Sequence, residues 1–258
     1  MQNHFTFTPF FLDESLPELD PIYQPHWQRN QPPLPEGDQQ KRMSAIYQPL
    51  AEAVAGAVSR GERPISVAGD CCATIGTLAG LQKAGIDPLL IWFDAHGDFN
   101  TRETSPSGFL GGMPLAMLIG FGDLTMPKAV SLKPLPENQV ILTDARDLDP
   151  GERELVENSA VTHLKNAHDL LDYPLPNRPI YIHFDVDVLD PREAPAMSYP
   201  APGGISSDRL KAVFRRLAST GQVAAASISC WNPKLEGAEK TREVCMEVFT
   251  TLTTELSN

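Results

Sequence analysis

Two stretches of this chain are almost entirely apolar and contain β-branched and aromatic residues: PLLIWF at residues 88–93 and PIYIHF at residues 179–184. A strand with one buried face alternates apolar and polar residues, whereas a strand inside a parallel sheet is covered on both faces and reads as a continuous apolar run. The two stretches therefore predict interior strands of a parallel sheet. Such strands require crossover connections, usually helices, which constrains the rest of the fold.

Apolar runs and amphipathic stretches alternate along the remaining chain, as expected for strand–helix units. The predicted strands are residues 5–12, 64–68, 88–93, 139–143, 179–185 and 223–229. The predicted helices are residues 38–60, 73–84, 112–118, 151–158, 206–219 and 236–256. This alternation predicts a three-layer α/β/α fold with a mostly parallel central sheet. The proline-rich residues 127–136 are predicted to form a connection, and residues 1–258 one domain.

Composition narrows the class of protein. The formal net charge is −12, which argues against a nucleic-acid partner because such proteins are usually basic. No run of about 18 apolar residues is present, so no membrane span is predicted. The N-terminal residues lack the basic and apolar regions of a signal peptide, so we expect a cytoplasmic protein. The 4 cysteines have no paired spacing and are expected to be reduced.

Polar residues gather where three of the predicted strands end. Alternate residues of an extended segment share a face, and ligand sites of α/β sheets lie at the carboxyl ends of the strands. The polar side chains are therefore predicted to converge on one site. They are Cys71 in GDCC, Asp94, His96 and Asp98 in DAHGD, and Asp185 and Asp187 in FDVDVLDP.

The negative charge of these acids must be compensated, because an unpaired ionised carboxylate in a low-dielectric environment is very costly. One interpretation is that basic residues pair with the acids. Only Arg102, Arg146 and Arg192 lie nearby in the sequence, which is too few for every acid. The other interpretation is a metal centre, since carboxylates with an imidazole and a thiolate suit two divalent ions. The sequence favours the metal centre.

The ordered motifs GDC, DAHGD and FDVDVLDP resemble the three metal-binding motifs of the arginase/agmatinase (ureohydrolase) family, over about residues 65–233. This resemblance implies an arginase-like fold and two Mn²⁺ ions bridged by a hydroxide that attacks the substrate. It also implies the ligand set and the residues expected to act in catalysis, which are Asp98 and His96. The implied bridging ligands are Asp94 and Asp185, one ion being completed by Asp98 and Cys71 and the other by His96 and Asp187.

Cys71 departs from the family pattern, which normally has a histidine at this position. A thiolate is a softer ligand than imidazole and favours other ions over Mn²⁺. The expected cofactor is therefore a pair of divalent ions, Mn²⁺ by resemblance, with Co, Fe, Ni or Zn as alternatives. The chain is similar in this respect to the Nω-hydroxy-L-arginine amidinohydrolase type of family member, which also carries a cysteine in the metal set.

Two further segments resemble the part of arginases that holds the amino-acid end of the substrate. Asn100, Ser105 and Ser107 match positions that bind the substrate α-carboxylate, while Asp149 and Glu152 match positions that bind its α-amino group. The same residues also suit structural roles. Asn and Ser are common in turns, and an acid followed by Pro, Gly and Glu is typical of a helix N-terminus. The two interpretations are compatible.

The end of the site that would hold the guanidino group departs from the family again. Cys230 stands in place of a glutamate that grips the guanidinium, Gly111 in place of a proton-shuttling histidine, and Phe109 in place of an asparagine. The resemblance implies an amidinohydrolase of an arginine-type or Nω-hydroxyarginine-type amino acid, and a homotrimer or homohexamer. The alternatives are an enzyme of this fold acting on agmatine, guanidinobutyrate, formiminoglutamate or another amidine, and a metal-binding member without activity.

Overall fold

The computed structural model of the chain describes residues 1–254, and its centre is an eight-stranded sheet. The strands are β1 (Asn3–Thr8), β2 (Phe10–Phe11), β3 (Glu14–Ser15), β4 (Gln28–Arg29), β5 (Arg63–Ala68), β6 (Leu89–His96), β7 (Val140–Asp147), β8 (Thr162–Leu164), β9 (Ile180–Asp185) and β10 (Val223–Ser229). The sheet has the order β4-β1-β5-β10-β9-β6-β7-β8, and its neighbouring strands are parallel. Strands β2 and β3 form a separate antiparallel pair. The predicted parallel sheet is confirmed.

Helices cover both faces of the sheet. They are α1 (Gln39–Ser59), α2 (Thr74–Lys83), α3 (Pro114–Leu118), α4 (Thr125–Ala129), α5 (Pro150–Asn158), α6 (Ser207–Ala218) and α7 (Ala238–Thr253). Along β6, Leu90 and Trp92 pack in the hydrophobic cluster that includes residues of α1 and α2. Ile91 and Phe93 pack in a second cluster with residues of α6 and α7. Because β6 is buried on both faces, its sequence is apolar from Leu89 to Phe93. The predicted three-layer arrangement is confirmed.

Some element boundaries differ from the prediction. The predicted strand 5–12 is interrupted after Thr8, because Pro9 has no N–H to donate to a neighbouring strand. The prediction of a connection over residues 127–136 was wrong at its start, where α4 accommodates Pro127 in its first turn. Of the predicted helix 236–256, residues 255 and 256 lie outside the described residues. No helix within residues 1–254 is long and apolar enough to cross a membrane.

Strands β6 and β7 extend further than predicted and carry polar residues into the sheet. Asp94 lies beside Asp144 and His96 beside Asp147, with an irregularity in the register between the two pairs. Asp144 and Ala145 have φ angles of 68° and 46°, which is left-handed backbone of the kind found at bulges. Asp94 and His96 are therefore held by strand pairing rather than by a loop.

Candidate metal centre and active-site cavity

Four strands that end at the same edge of the sheet position the centre. Their order is β5, β10, β9, β6. Cys71 follows β5, Cys230 follows β10, Asp185 ends β9, and Asp94 lies near the end of β6. Because the carboxyl ends of parallel strands meet at one edge, residues from distant parts of the chain become neighbours there.

Five of the six predicted metal-binding side chains, all except Asp185, form two donor groups that share one residue. The ligand atoms of Cys71, Asp94 and Asp98 lie within 4.8 Å of one another, and those of Asp94, His96 and Asp187 do the same. Asp94 belongs to both groups and is 1% exposed. Its carboxylate is therefore a candidate ligand in either donor group.

Backbone N–H groups orient three of the carboxylates. The N–H of Ala95 donates to Asp187 Oδ1 at 2.9 Å, and the N–H of Asp187 donates to Asp185 Oδ1 at 2.9 Å. The N–H of His96 donates to Asp94 Oδ1 at 2.7 Å. These backbone hydrogen bonds thus fix the directions in which the three carboxylates point.

Burial and mutual repulsion make the ionised acids costly. Burial, together with the charges of Asp94 and Asp185, raises the pKa of Asp98 well above its ordinary value. Burial and the charge of Asp187 raise the pKa of Asp94 to about 6. Burial, Asp187 and Asp94 likewise raise the pKa of Asp185. Adjacent carboxyl groups with raised pKa values are a feature of functional sites, and cations would stabilise their ionised forms.

His96 lies against two of the acids. Its Nδ1 is 3.0 Å from Asp187 Oδ2 and 3.4 Å from Asp94 Oδ1. Burial opposes a charge on the imidazole, but hydrogen bonds to Asp187 and Asp94 outweigh it and raise the pKa of His96 to about 12. Burial also opposes ionisation of Asp187, and the hydrogen bond from His96 outweighs it and lowers the pKa of Asp187. A divalent ion bound by this donor group would take the place of the imidazole proton.

The arginines that might have compensated the acids pair elsewhere. Their partners are Asp144 for Arg146, Asp190 for Arg192 and Asp123 for Arg102. Within the described part of the chain, the buried Oδ2 of Asp98 has no hydrogen-bond partner. A buried carboxylate oxygen without a donor is rare and calls for an explanation such as an ion. The residues of the centre therefore fit a pair of divalent ions.

Cys71 is surrounded by polar atoms. Its Sγ lies 2.8 Å from Asp185 Oδ2, 3.2 Å from His183 Nε2 and 3.4 Å from Cys230 Sγ. Burial, the contact with Cys230 and the charge of Asp185 raise the pKa of Cys71 well above its ordinary value. The thiol therefore keeps its proton unless a cation displaces it, since a coordinating thiol is deprotonated by its metal.

A cavity of about 490 Å³ lies over the two donor groups. Asp94 is beneath the surface of this cavity, whereas the other predicted site residues line it. Those lining residues are Cys71, His96, Asp98, Asn100, Ser105, Ser107, Asp149, Glu152, Asp185, Asp187 and Cys230. The structure thus brings the predicted metal-binding and substrate-binding residues together in one cavity.

Residues predicted to hold the substrate amino group also have structural partners. Asn100 Nδ2 donates to Asp149 Oδ2 at 3.0 Å. Glu152 accepts hydrogen bonds from the N–H of Phe99 at 2.8 Å and from that of Asp149 at 3.2 Å. Burial raises the pKa of Glu152 to about 7. The helix N-terminus interpretation of Glu152 is borne out by its bond to Asp149, and its place in the cavity is compatible with a substrate contact as well.

Ser105 and Ser107 form part of a turn at the cavity. Ser105 Oγ accepts a hydrogen bond from the N–H of Gly108 at 3.0 Å, and Ser107 Oγ accepts one from the N–H of Phe109 at 3.2 Å. The turn interpretation is therefore also correct. Since a hydroxyl group that accepts a hydrogen bond still has its own proton to donate, the turn does not prevent either serine from binding an anionic group.

Sequence reasoning placed Phe109 at the site but missed Phe11 and Tyr199, which form an aromatic wall of the cavity with it. The ring centroids are 6.3 Å apart for Phe11 and Phe109, and 5.5 Å apart for Phe109 and Tyr199. A Cβ atom at Gly111 would lie 2.3 Å from Cε1 of Phe109, so the glycine makes room for the ring. Phe11 and Tyr199 belong to no motif and come from distant segments, so no local signal could have identified them.

Comparison with known proteins agrees with this geometry. The sequence profile described as Arginase family matches residues 29–254. The arginase of Bacillus subtilis (strain 168) is 35% identical over 216 residues, which cover 79% of this chain and 73% of the relative. The arginase of Bacillus caldovelox is 34% identical over 228 residues, covering 82% of this chain and 75% of the relative.

Solved structures show the same relationship. The native structure of the Bacillus caldovelox arginase has a TM-score of 0.83 at 26% identity, covering 99% of both chains. Formimidoylglutamase from Bacillus subtilis, with a TM-score of 0.75 at 16% identity over 98% of this chain and 86% of that chain, shows likeness of fold alone. Sequence, fold and site geometry lead to one conclusion: this chain belongs to the arginase family of hydrolases.

Proposed function

We propose that this chain is a binuclear metal-dependent amidinohydrolase that cleaves a guanidino C–N bond of an arginine-type amino acid, with Nω-hydroxy-L-arginine as the favoured substrate. One observation carries the proposal: two donor groups share Asp94 and lie at a cavity that is also lined by Asn100, Asp149 and Glu152. This arrangement supports a substrate that extends from the metal centre to a polar, partly acidic part of the cavity.

Two divalent ions, when bound, would lower the pKa of water and supply hydroxide at neutral pH. Six side chains would hold them: Cys71, Asp94, His96, Asp98, Asp185 and Asp187. Asp98 would have a second role, because its Oδ2 has no partner among residues 1–254 and can accept the proton of the attacking group. By family resemblance the ions are Mn²⁺, while the thiol of Cys71 favours Co, Fe, Ni or Zn.

The amino-acid end of the substrate would lie at the start of α5. Carboxylates of Asp149 and Glu152 can accept hydrogen bonds from an α-ammonium group, and Asn100, Ser105 and Ser107 can donate to an α-carboxylate. All five side chains line the cavity. Their existing bonds within the protein would hold them in position before the substrate binds.

The neutral thiol of Cys230 supports a substrate whose reacting group is weakly basic. Contact with the Cys71 thiol lowers the pKa of Cys230, but burial and the charge of Asp185 outweigh it and place the pKa well above its ordinary value. A neutral thiol provides no charge to pair with the guanidinium of arginine. A hydroxyguanidine is less basic and needs less negative charge beside it, which supports Nω-hydroxyarginine over arginine.

A second candidate is the same reaction on an amidine that lacks the α-amino group, such as agmatine, guanidinobutyrate or formiminoglutamate. It is favoured by the structural partners of Glu152, Ser105 and Ser107, because those residues have a role without any amino acid bound. The aromatic wall also suits a substrate with more apolar surface.

A metal-reconstituted turnover screen tests both candidates. The purified chain is stripped of metal, loaded separately with Mn²⁺, Co²⁺ or Zn²⁺, and assayed with arginine, Nω-hydroxyarginine, agmatine and formiminoglutamate. Ornithine released with urea or hydroxyurea supports the first candidate, and turnover only of substrates without an α-amino group supports the second. If the protein binds two ions but hydrolyses none of these substrates, the result supports a metal-binding protein without activity. Asp98→Asn is the control for contaminating enzymes.

Two properties of the whole chain complete the proposal. We propose that residues 1–258 form one domain and that the protein is a homotrimer or homohexamer, as the family resemblance implies. Sedimentation velocity measures the assembly directly, and a monomer at micromolar concentration would contradict the second point.

A further inference from the structure

His183 lies beside the metal centre but belongs to neither of the two donor groups. It stands on β9 two residues before Asp185, so both side chains leave the strand on the same face. The imidazole is 1% exposed, and its Nε2 lies 3.2 Å from Cys71 Sγ. The ligand atoms of Cys71, His183 and Asp185 all lie within 4.8 Å of one another. A third donor group is thus present, with a nitrogen donor in it.

Neighbouring strands fix the orientation of the imidazole. Trp92 on β6 and Ser227 on β10 are the register partners of His183. The imidazole packs on the Trp92 indole with a centroid separation of 4.0 Å, and its Nδ1 lies 2.8 Å from Ser227 Oγ. Ser227 Oγ is also 2.8 Å from the hydroxyl of Tyr181. When Nδ1 donates its proton to Ser227, the lone pair of Nε2 faces Cys71.

This environment is the one that metal-binding histidines usually have. The nitrogen that does not bind the metal is commonly hydrogen-bonded to a neighbouring group, which fixes the tautomer and the ring. A thiolate, an imidazole and a carboxylate are also ligands that Zn²⁺ prefers. Two such ligands on a tetrahedral Zn²⁺ are separated by about 3.5 Å, close to the 3.2 Å between Cys71 Sγ and His183 Nε2.

We propose that His183 is a metal ligand, and that its Nε2 binds the same ion as Cys71 and Asp185. The inference rests on the proposed function, because it requires an ion at this centre. On binding, the proton of the Cys71 thiol passes to water, the 2.8 Å contact between Cys71 and Asp185 opens, and no electron is transferred. An imidazole from β9 then accompanies the thiolate, and this half of the centre selects Zn²⁺ or Co²⁺ over Mn²⁺.

X-ray absorption of the full chain loaded with two equivalents of Zn²⁺ tests the ligand directly. If His183 binds, the spectrum contains two imidazoles shared between two ions, from His96 and His183. If His183 only donates a hydrogen bond to Cys71, it contains one. This measurement needs no variant, so it decides the question even if a substitution at His183 prevents folding.

Titration with Co²⁺ gives a second test, because the sulfur-to-cobalt absorption band reports only an ion bound by a thiolate, and Cys71→Ser identifies the part of the band that comes from Cys71. We expect His183→Asn, which keeps a donor for Ser227 but lacks Nε2, to weaken this binding by more than about 100-fold, whereas Ser227→Ala, which removes only the outer partner, weakens it about 10-fold. His163→Asn is the matched control, because His163 bonds to the carbonyl O of Asp144 at 3.0 Å, outside the three donor groups.

The outcomes separate this inference from the proposed function. A single imidazole, an unchanged Co²⁺ affinity in His183→Asn, or no sulfur-to-cobalt band in the unmodified chain would each overturn the role of His183, whatever the turnover screen gives. Two imidazoles and a band that weakens in His183→Asn would establish the ligand even if none of the tested amidines is hydrolysed.

Discussion

Asp98 combines a strained backbone with an unsatisfied side chain. Its φ is 49°, a left-handed conformation that asparagine and aspartate tolerate better than most residues. Its buried Oδ2 has no partner within residues 1–254, and nearby acids raise its pKa. Such a residue is costly in the metal-free protein and useful in the metal-loaded one, which makes the two states respond differently to substitution.

Asp98→Asn tests this difference. In the metal-free protein the substitution removes an acid with a raised pKa and keeps the backbone, so we expect an unchanged or higher unfolding temperature. In the metal-loaded protein it removes a ligand, so we expect metal affinity to fall by at least about 10- to 100-fold and turnover to be lost. Calorimetry with and without metal measures both effects. A metal-free variant that is clearly less stable than the unmodified chain would contradict the expectation.

Gly111 and Phe109 are predicted to be energetically coupled. The Cβ of Gly111→Ala would lie 2.3 Å from Phe109 Cε1, so the ring must leave its place against Tyr199 and Phe11. We expect Gly111→Ala to destabilise the protein by about 1 kcal/mol, and to cost nothing measurable when Phe109→Ala is also present. Urea unfolding of the two single variants and the double variant measures the coupling, and additive effects would show that the cost of Gly111→Ala does not come from the Phe109 ring.

At the level of elements, the start of α5 contains a buried acid with a structural role. Glu152 is 3% exposed, and burial raises its pKa from an ordinary value of 4.5 to about 7. Between these two pH values the folded chain holds a proton that the unfolded chain has lost. The contribution of Glu152 to stability is therefore greatest below about pH 4.5 and is lost as the pH rises through about 7.

Glu152→Gln should remove this pH dependence, because glutamine does not titrate. We expect the stability of the unmodified metal-free chain, relative to the variant, to decline by on the order of 3 kcal/mol as the pH rises across this interval. The free energy of unfolding in urea at a series of pH values measures it. Glu154→Gln, on the same helix and on its exposed side, is the matched control. A constant difference between the unmodified chain and Glu152→Gln would refute the assignment.

The elements that sequence predicted well are those whose pattern is local. The interior strands β6 and β9 are apolar because both faces are covered, and the acids that follow them belong to contiguous motifs. Short edge strands such as β4 (Gln28–Arg29) and β8 (Thr162–Leu164) carry too few residues for any periodicity and were missed. The helix α4 was missed because Pro127 suggested a connection.

Contacts between elements could not be predicted from the sequence either. The placement of Trp92, His183 and Ser227 side by side depends on the register of three strands, and register is set by packing over the whole sheet. The aromatic wall likewise unites three segments that are far apart in the chain, at Phe11, Phe109 and Tyr199. The residues of the candidate metal centre were easier to bring together from sequence, because most of them stand in short contiguous motifs.

In the whole molecule, the two layers of helices leave one edge of the sheet open for the site. Arg146 shows how this edge is organised. From the sequence, Arg146 was a possible partner for the central acids. In the structure it pairs with Asp144 and donates hydrogen bonds to the carbonyl oxygens of Asp187 and Ala201 at 2.9 Å and 3.1 Å. The positive charge thus ties β7 to the segment that follows β9, and Arg146 does not compensate the central acids.

The stability of the metal-free chain and the stabilisation by bound metal should depend on pH in opposite directions. In the metal-free chain, burial and Asp187 raise the pKa of Asp94 from an ordinary value of 3.8 to about 6. The folded chain therefore binds more protons than the unfolded chain in this interval, and stability falls as the pH rises through it. In the metal-loaded chain the carboxylates must be deprotonated to bind, so the stabilisation by the ions grows over the same interval.

Thermal unfolding with a chelator and with Mn²⁺, over the pH interval from about 3.8 to about 6 and beyond, measures both profiles. We expect the two curves to converge on the acidic side and to separate as the pH rises. A Mn²⁺ concentration of 100 times the dissociation constant should then add about 2.7 kcal/mol for each ion bound. His163→Asn should leave both curves unchanged, whereas Asp98→Asn should reduce their separation. Curves that stay parallel across the interval would mean that metal binding is not linked to protons, and that the clustered carboxyl groups are not the ligands.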